Sequence, residues 1–168
     1  MSNGPSDGPG VAPTGVTLAS IMTLPLPLWS TTAAQAAELG YDSLWVAETT
    51  GPEAFSSLAA LSAEQPAMGL GTGVLALQLR TPMLAAMGAA TLQARAPDVV
   101  VYLGVGISSP VVVGSWHGAA YGDRPLAQTR EYLTLVRECL SGEPVTFSGD
   151  FYSCRKFRLG VRLGERRP

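Results

Sequence analysis

Two side chains of this sequence are best suited to proton transfer, one imidazole and one carboxylate. His117, in the triplet Trp-His-Gly, is the only histidine of the chain. An imidazole titrates closer to neutral pH than any other side chain, so it is the natural proton donor to a substrate or cofactor. Glu48 follows directly after the largely apolar run Tyr41–Ala47, where α/β proteins place functional groups. The alternatives are a loop histidine that contacts only backbone and an acid that begins a helix.

A serine pair forms a second candidate group, because its hydroxyls could bind the polar edge of a ligand. Ser108 and Ser109 follow the apolar stretch Val99–Val105, and ordinary turn serines are the alternative. Gly104 and Gly106 imitate the start of a dinucleotide fingerprint, but the third glycine is missing and no helix begins directly afterwards. We therefore do not expect a Rossmann-type site here.

Several other functional classes are disfavoured by composition. Cys139 and Cys154 form no CxxC pair and have no histidine cluster beside them, which argues against a metal site and fits a reducing cytoplasm. Six of the 11 basic residues lie in the segment Arg155–Arg167, but Phe157 is the only aromatic residue there. We therefore expect no nucleic-acid partner. The apolar segment Val16–Leu28 is short and contains two prolines, so we expect no membrane span.

The elements that would position these side chains alternate between strands and helices. Residues 1–15 are rich in Gly, Pro and Ser and predict a flexible tail before one domain of residues 16–168. We expect four strands, at Val16–Met22, Ser43–Ala47, Met68–Leu75 and Val99–Val105, and a loop at Thr23–Trp29. We expect four helices, from Ser30 or Thr31 to Gly40, from Pro52 to Glu64, from Thr81 onward and over Pro125–Leu140. A hairpin should follow at Val145–Phe151. Because the strands are largely apolar throughout, they predict an α/β fold with a parallel sheet covered by helices.

The low charge of the chain predicts an apolar surface that needs a cover. Charged residues make up 14% of the sequence, whereas about 25% is usual for soluble domains. The cover would be a partner subunit or further chain. The helix after Pro82 contains the alanine-rich stretch Ala85–Ala90, which lets a neighbouring backbone come close. This helix either packs on its own sheet or forms a homodimer through Ala-rich helices, and both readings stay open.

Five blocks of the sequence resemble a known family. AELGYDSLWVAE, LGTGVLALQLRTP, AATL, LGVGISSPVVVGSWHG and RPLAQTREYL occur in the order and spacing of the luciferase-like monooxygenases. The match is closest to the deazaflavin-dependent oxidoreductases of actinobacterial type, and it covers roughly Val16 to Leu163. The resemblance implies a (β/α)8 barrel that binds FMN or coenzyme F-420 at the C-terminal ends of its strands. It also implies hydride transfer between this cofactor and a small-molecule substrate.

The resemblance implies roles for individual residues as well. It places His117 and Glu48 in the catalytic site, and it places Ser108 and Ser109 at a flavin edge or a substrate. The pair Gly73-Val74 stands where the family often has a non-prolyl cis peptide behind the isoalloxazine ring. A loosely built glycine-rich strand is the alternative reading for that pair.

The number of units departs from the family pattern. Four strand–helix units precede Pro168, whereas a closed barrel has eight, so we expect a parallel (βα)4 half of a TIM barrel with a short hairpin near the C-terminus. The segments ARAPDVVVY and EQPAMG also differ from the family pattern, and the family's phosphate site lies largely in later loops. Besides the oxidoreductase, two functions stay open: a non-catalytic half-barrel that serves as a scaffold or interaction module, and a parallel-sheet module that binds a small ligand by itself.

Overall fold

The computed structural model describes residues 13–168. Residues 1–12 of the predicted tail lie outside that range. Gly15 already belongs to the first strand, so the strand begins just before the predicted domain boundary. The Thr14 amide donates a 2.7 Å hydrogen bond to the Asp42 carboxylate, which joins the entry of the first strand to the start of the second.

A parallel sheet with helices packed on one face forms the core. The strands are β1 (Gly15–Thr17), β2 (Ser43–Val46), β3 (Gly69–Thr72), β4 (Leu75–Ala76), β5 (Val101–Tyr102) and β6 (Val105–Gly106), and the helices are α1 (Pro27–Glu38), α2 (Ala54–Glu64), α3 (Pro82–Arg95) and α4 (Pro125–Leu140). β1, β2, β3 and β5 are neighbours in this order, and β4 pairs with β6, all in parallel. The predicted half-barrel of four parallel strand–helix units is confirmed.

The two faces of the sheet differ in what covers them. Leu44, Val46 and Leu70 point toward the helices and are completely buried. On the other face Trp45 of β2 is in register with Gly71 of β3, which is in register with Tyr102 of β5. The Trp45 and Tyr102 rings stack across Gly71 with centroids 5.2 Å apart. A Cβ at position 71 would lie 2.4 Å from the indole, so only glycine leaves room for this stack.

The first strand and the first helix differ from the prediction. β1 ends at Thr17 rather than Met22, and a 3-10 turn follows at Ala19–Ile21. α1 begins at Pro27, within the segment predicted to be a loop, and neither Ser30 nor Thr31 caps it. The reason is that a proline suits the first helical position, where its missing N–H would have had no partner in any case.

The third and fourth predicted strands are each divided in two. After Gly73 the chain changes partners: the Gly73 amide donates to the Val46 carbonyl of β2, whereas the Leu75 amide donates to the Gly104 carbonyl. The peptide bond Gly73–Val74 between β3 and β4 is cis. β4 therefore pairs with β6, at the C-terminal ends of the longer strands.

Several local predictions are confirmed. Gly40 has a φ of 81° just after α1, which is the left-handed conformation expected of a glycine that ends a helix. The Thr81 hydroxyl accepts a 3.2 Å hydrogen bond from the Leu84 amide and caps α3. α4 has the predicted bounds, but Leu126, expected to face inward, is 81% exposed. It lies in the first turn of the helix, before the turns that pack on the core.

The alanine-rich face of α3 packs inside this chain. Ala85, Ala86, Ala89 and Ala90 are all completely buried. A Cβ at Gly88 would lie 2.6 Å from the Phe55 ring of α2, so the small residues allow close packing between the chain's own helices. These alanines are thus covered by the chain's own helices, and a homodimer through the Ala-rich helices stays a prediction.

A hairpin follows α4, as predicted, although its second strand comes later in the chain. It consists of β7 (Val145–Ser148) and β8 (Ser153–Phe157), which pair in antiparallel. The Glu131 carboxylate of α4 accepts hydrogen bonds of 2.9, 2.9 and 2.6 Å from the amides of Asp150, Phe151 and Tyr152. One side chain thus holds the hairpin turn on α4. Within the described residues, no helix is both long and apolar enough to cross a membrane.

Candidate functional site

Three of the residues singled out in the sequence line one small cleft. Its volume is about 140 Å³, and it lies where β2, β4 and β6 end. Glu48 lines it from the segment after β2, Val74 from the cis peptide before β4, and Ser108 from the segment after β6. Val74 is 45% exposed, so its side chain is open to a ligand. Because the strands are parallel, their C-terminal ends bring together residues that are far apart in sequence.

A larger cleft adjoins the first and shares Glu48 and Thr49 with it. Its volume is about 440 Å³, which is within the range of small-molecule sites. His117 lines one side of this cleft and Arg80 another, with Leu79 and Leu84 supplying apolar surface. The two proton-transfer candidates, His117 and Glu48, therefore lie in the same depression.

The Glu48 carboxylate is bound by an arginine of the β4–α3 connection. Arg80 donates to it through Nη2 at 2.7 Å and through Nε at 3.3 Å. Nη2 also donates to Glu53 at 2.5 Å, and the guanidinium lies over the Phe55 ring at 5.2 Å. The side chains of Arg80 and Glu48 are only 17% and 18% exposed, so this contact is largely shielded from water.

These contacts shift two ionisation equilibria. The hydrogen bond to Glu48 and the charges of both glutamates raise the pKa of Arg80, even though burial acts in the opposite direction. Burial alone would raise the pKa of Glu53, but hydrogen bonds from Ser56 and Phe55 and the charge of Arg80 outweigh it and lower that pKa. Arg80 and Glu53 are therefore both charged near neutral pH.

Glu48 has a second contact, which matches the alternative interpretation that it is an acid at the start of a helix. Its Oε1 accepts a 3.2 Å hydrogen bond from the amide of Ala54, the first residue of α2. Glu53 is the N-cap of the same helix and accepts from the Phe55 and Ser56 amides. Glu48 thus lines the cleft and also binds the start of a helix. Its carboxylate is therefore held in place by Arg80 and by the Ala54 amide.

His117 is anchored across the cleft to the loop after β2. Its Nε2 lies 2.6 Å from the Thr49 carbonyl oxygen. A carbonyl can only accept, so Nε2 must carry a hydrogen, and Nδ1 is left as the nitrogen that can gain or hold a proton. The imidazole directly follows a π-helical turn, Val111–Trp116, and is exposed.

The serine pair is divided between two roles. Ser108 lines the small cleft. The Ser109 hydroxyl instead accepts a 3.2 Å hydrogen bond from the Val112 amide, and its carbonyl accepts from Val113. Ser109 therefore holds the start of the π-helical turn, as an ordinary turn serine would.

A family model describes most of the chain. The model of the luciferase-like monooxygenases matches residues 28–168. The chain belongs to this family.

Relatives of this luciferase-like chain agree with the assignment. A protein of Mycobacterium tuberculosis, whose name describes a coenzyme F-420-dependent oxidoreductase, is 39% identical over 120 residues, 71% of this chain and 34% of that relative. A solved F-420-dependent secondary alcohol dehydrogenase, in complex with an F-420–acetone adduct, superposes with a TM-score of 0.82 at 22% identity over 93% of this chain and 50% of its own. The oxygenating constituent of 3,6-diketocamphane monooxygenase from Pseudomonas putida, in complex with FMN, superposes with a TM-score of 0.76 at 19% identity. This superposition covers 93% of the present chain and 49% of the monooxygenase chain.

The luciferase-like chain thus spans about a third of the length of that curated relative and half of the solved structures. At these identities the solved structures show the common fold. They agree with the half-barrel, because four strand–helix units are half of a (β/α)8 barrel.

Arg80 and Glu53 are the site residues that sequence reasoning missed. Arg80 is one of only five basic residues before Arg155, and it directly precedes the Thr81-Pro82 helix start. The sequence does contain a signal for Arg80 as a site residue. It is one of few basic residues, it stands beside a predicted helix start, and a carboxylate follows another strand at the same edge of the sheet. Its partner could not be named, because the carboxylate is 32 residues away in sequence.

Proposed function

We propose that this luciferase-like chain is part of a hydride-transferring oxidoreductase that binds coenzyme F-420 or FMN at the paired clefts. The observation that carries the proposal is the meeting of Glu48, Val74 and Ser108 in one cleft at the C-terminal ends of the strands, beside His117. The names of relatives with the same fold describe enzymes that depend on F-420 or bind FMN. The cofactor would supply the hydride chemistry, and the protein would supply orientation and a dry surface.

The residues at the clefts fit the flat, uncharged part of such a cofactor. Val74, Ala76 and Ile107 offer an apolar ledge, and Ser108 adds a hydroxyl at its rim. They do not by themselves fit its phosphate, since Arg80 is the only arginine or lysine lining either cleft among the described residues, and two carboxylates already bind it. We therefore assign the ring-binding wall to this chain and leave the phosphate to residues elsewhere.

His117 would hold the proton that accompanies hydride transfer. Its Nε2–H bond to the Thr49 carbonyl fixes the ring, and this leaves Nδ1 to deliver or accept the proton. Glu48, whose carboxylate is held by Arg80, would orient polar atoms of a small substrate.

Cofactor titration tests the proposal directly. Purified protein is titrated with F-420 and, separately, with FMN, and binding is followed by absorbance and fluorescence. We expect a dissociation constant below about 100 μM for one of them, a free energy near −5.5 kcal/mol. Val74→Asp should weaken binding at least tenfold, because it places an unpaired charge on the apolar ledge. Leu126→Asp, at a site that is already 81% exposed on α4, should leave binding unchanged.

If neither cofactor binds at 100 μM, the oxidoreductase proposal fails for this chain. If one binds, the next measurement is turnover with secondary alcohols, the substrate class in the name of one structural neighbour. His117→Ala should then lower turnover by about 10²-fold or more while cofactor affinity stays within threefold.

A second candidate is a non-catalytic interaction module. It is favoured by the exposure of apolar side chains on the sheet, of which Tyr102 is 46% exposed. This candidate predicts association with a protein partner and no cofactor binding, so the same titration separates the two.

We further propose that the protein acts in the cytoplasm as a homodimer. Both cysteines are free thiols, with Cys139 buried and Cys154 half-buried, which suits a reducing compartment. The exposed apolar side chains of Val100 and Tyr102 support self-association.

A further inference from the structure

Leu84 is an apolar residue in the first turn of α3 that stays open at the larger cleft. It is 46% exposed, whereas its neighbour Ala85 is completely buried. Leu84 lines the same cleft as His117. Because helical side chains lean toward the N-terminus of their helix, Leu84 extends toward the connection that carries Arg80. The exposed leucine therefore belongs to the candidate site.

A second leucine extends this apolar surface. Leu79, which directly precedes Arg80, lines the same cleft. Its backbone amide donates a 3.0 Å hydrogen bond to the Ala76 carbonyl, so a turn directly after β4 holds it in place. Leu79 and Leu84 are here called the leucine patch. They offer a ligand hydrocarbon surface from two segments on either side of Arg80.

Other parts of the cleft lining are polar. Thr50 lines it, and so does His117, whose Nε2 is bound to the Thr49 carbonyl. The free Nδ1 can accept a hydrogen bond in the neutral imidazole and donate one in the protonated form. A ligand that fills the cleft would therefore meet hydrogen-bonding groups at one part and hydrocarbon at another.

The charges of the cleft favour a neutral ligand. Glu48 and Glu53 both line it, and Glu53 is charged near neutral pH. Arg80 already forms ion pairs with both glutamates. An anionic group would therefore meet carboxylates beside an arginine whose charge is already compensated, and like charges repel.

We propose that Leu84 determines the substrate specificity of the larger cleft by binding the hydrocarbon part of a small neutral alcohol or ketone. The oxygen atom of this compound would lie at Nδ1 of His117, and its alkyl chain would lie on the leucine patch. An alcohol and a ketone are the neutral oxygen compounds that hydride transfer interconverts. The inference thus rests on the proposed function, since the bound compound would be the substrate of that transfer.

The single histidine of the chain makes a specific binding test possible. The Hε1 proton of His117 gives the one histidine signal in a proton NMR spectrum, and its position reports binding at the cleft. The purified 168-residue protein is titrated with 2-butanol, 2-pentanol and 2-hexanol. We expect the affinity to rise about fourfold for each added CH2, which corresponds to about 0.8 kcal/mol per buried CH2.

Three variants separate Leu84 from a general effect of the surface. Leu84→Gln should reduce the increment to less than about twofold per CH2, because an amide replaces the apolar contact. Leu84→Met, which keeps a similar apolar volume, should restore the increment. Met87→Gln is the matched control, since Met87 is also 46% exposed on α3 but does not line the cleft, and it should keep the full increment. Circular dichroism should show that all three variants keep their helices.

A charged analogue tests the preference for a neutral ligand. The anion 3-hydroxybutyrate resembles 2-pentanol in size but carries a carboxylate. It should bind at least about tenfold more weakly than 2-pentanol. Equal or tighter binding of the anion would overturn the assignment of a neutral substrate.

The remaining outcomes also decide the matter. An unchanged His117 signal at about 100 mM 2-hexanol, or an increment that Met87→Gln removes and Leu84→Gln retains, overturns the inference. A chain-length dependence that requires Leu84, in a protein that binds neither F-420 nor FMN, keeps Leu84 as the ligand-binding residue and rejects the proposed function. A protein that binds one of these cofactors, but binds all three alcohols equally, rejects this inference alone.

Discussion

The Arg80 guanidinium binds the Glu48 carboxylate through two hydrogen bonds, of 2.7 and 3.3 Å, and thereby joins the loop after β2 to the connection before α3. Glu53 at the start of α2 is bound by the same nitrogen. The three side chains fix the floor of the larger cleft. They also fix the orientation of the Glu48 carboxylate, whose side chain is only 18% exposed.

Arg80→Ala should lower the free energy of unfolding by about 2 kcal/mol, because it leaves two carboxylates, one of them mostly buried, without their cation. Urea denaturation followed by circular dichroism measures the change. Arg124→Ala is the matched control, since Arg124 forms an exposed pair with Asp150, and should cost less than about 1 kcal/mol. Equal losses in the two variants would contradict the shielded role of Arg80.

Glu53 should make stability depend on acid pH. Its pKa is lower in the folded protein than the reference value of 4.5, so the folded state favours the charged form. The resulting stabilisation is present above about pH 4.5 and is lost as the pH falls through the folded pKa. Glu53→Gln should therefore lose less stability than the wild type between pH 6 and pH 3 in urea titrations. Parallel curves for the two proteins would show that Glu53 is not the group responsible.

Gly71→Ala should disrupt the stack of the Trp45 and Tyr102 rings. Its Cβ would lie 2.4 Å from Trp45, so the indole has to leave the Tyr102 ring. Overpacking of this kind costs about 1–3 kcal/mol. Near-ultraviolet circular dichroism should lose the signal of the stacked pair. Gly160→Ala, where an added Cβ meets nothing within 4 Å, should change neither stability nor spectrum.

Glu131→Ala should release the β7–β8 hairpin from α4. The carboxylate is the acceptor of three amide hydrogen bonds in the hairpin turn, and the loss should destabilise the protein by about 2 kcal/mol. Hydrogen exchange should accelerate at the amides of residues 150–152. Glu138→Ala, on the exposed side of the same helix, is the control. Unchanged exchange at these amides in Glu131→Ala would refute the assigned contact.

Much of the fold could be predicted because its signals are local. Thr81-Pro82 marked the start of α3, Gly40 marked the end of α1, and the spacing of apolar residues gave both ends of α4. Where the prediction fails, the local signal has two meanings. Pro27 indicates a loop in the sequence, but a proline is equally suited to a first helical turn, and α1 begins there.

The candidate site was predictable only in part. Glu48, Val74, Ser108 and His117 could be nominated one at a time, and the structure brings them to two adjoining clefts. The different roles of Ser108 and Ser109 could not be predicted, because a hydroxyl that stabilises a turn and a hydroxyl that lines a cleft look the same in a sequence. The cofactor and proton-transfer roles of these residues stay predictions.

The family, the order of strands and helices, and the half-barrel are predictable from the sequence, since they follow from local patterns and from blocks in a fixed order. The contacts of the chemical groups, by contrast, depend on the tertiary fold. Arg80 reaches Glu48 across 32 residues of sequence, and His117 reaches Thr49 across 68. Such contacts depend on the register and curvature of a sheet assembled from distant segments. No local pattern encodes that register, because each strand end gains its neighbours only when the whole sheet has formed.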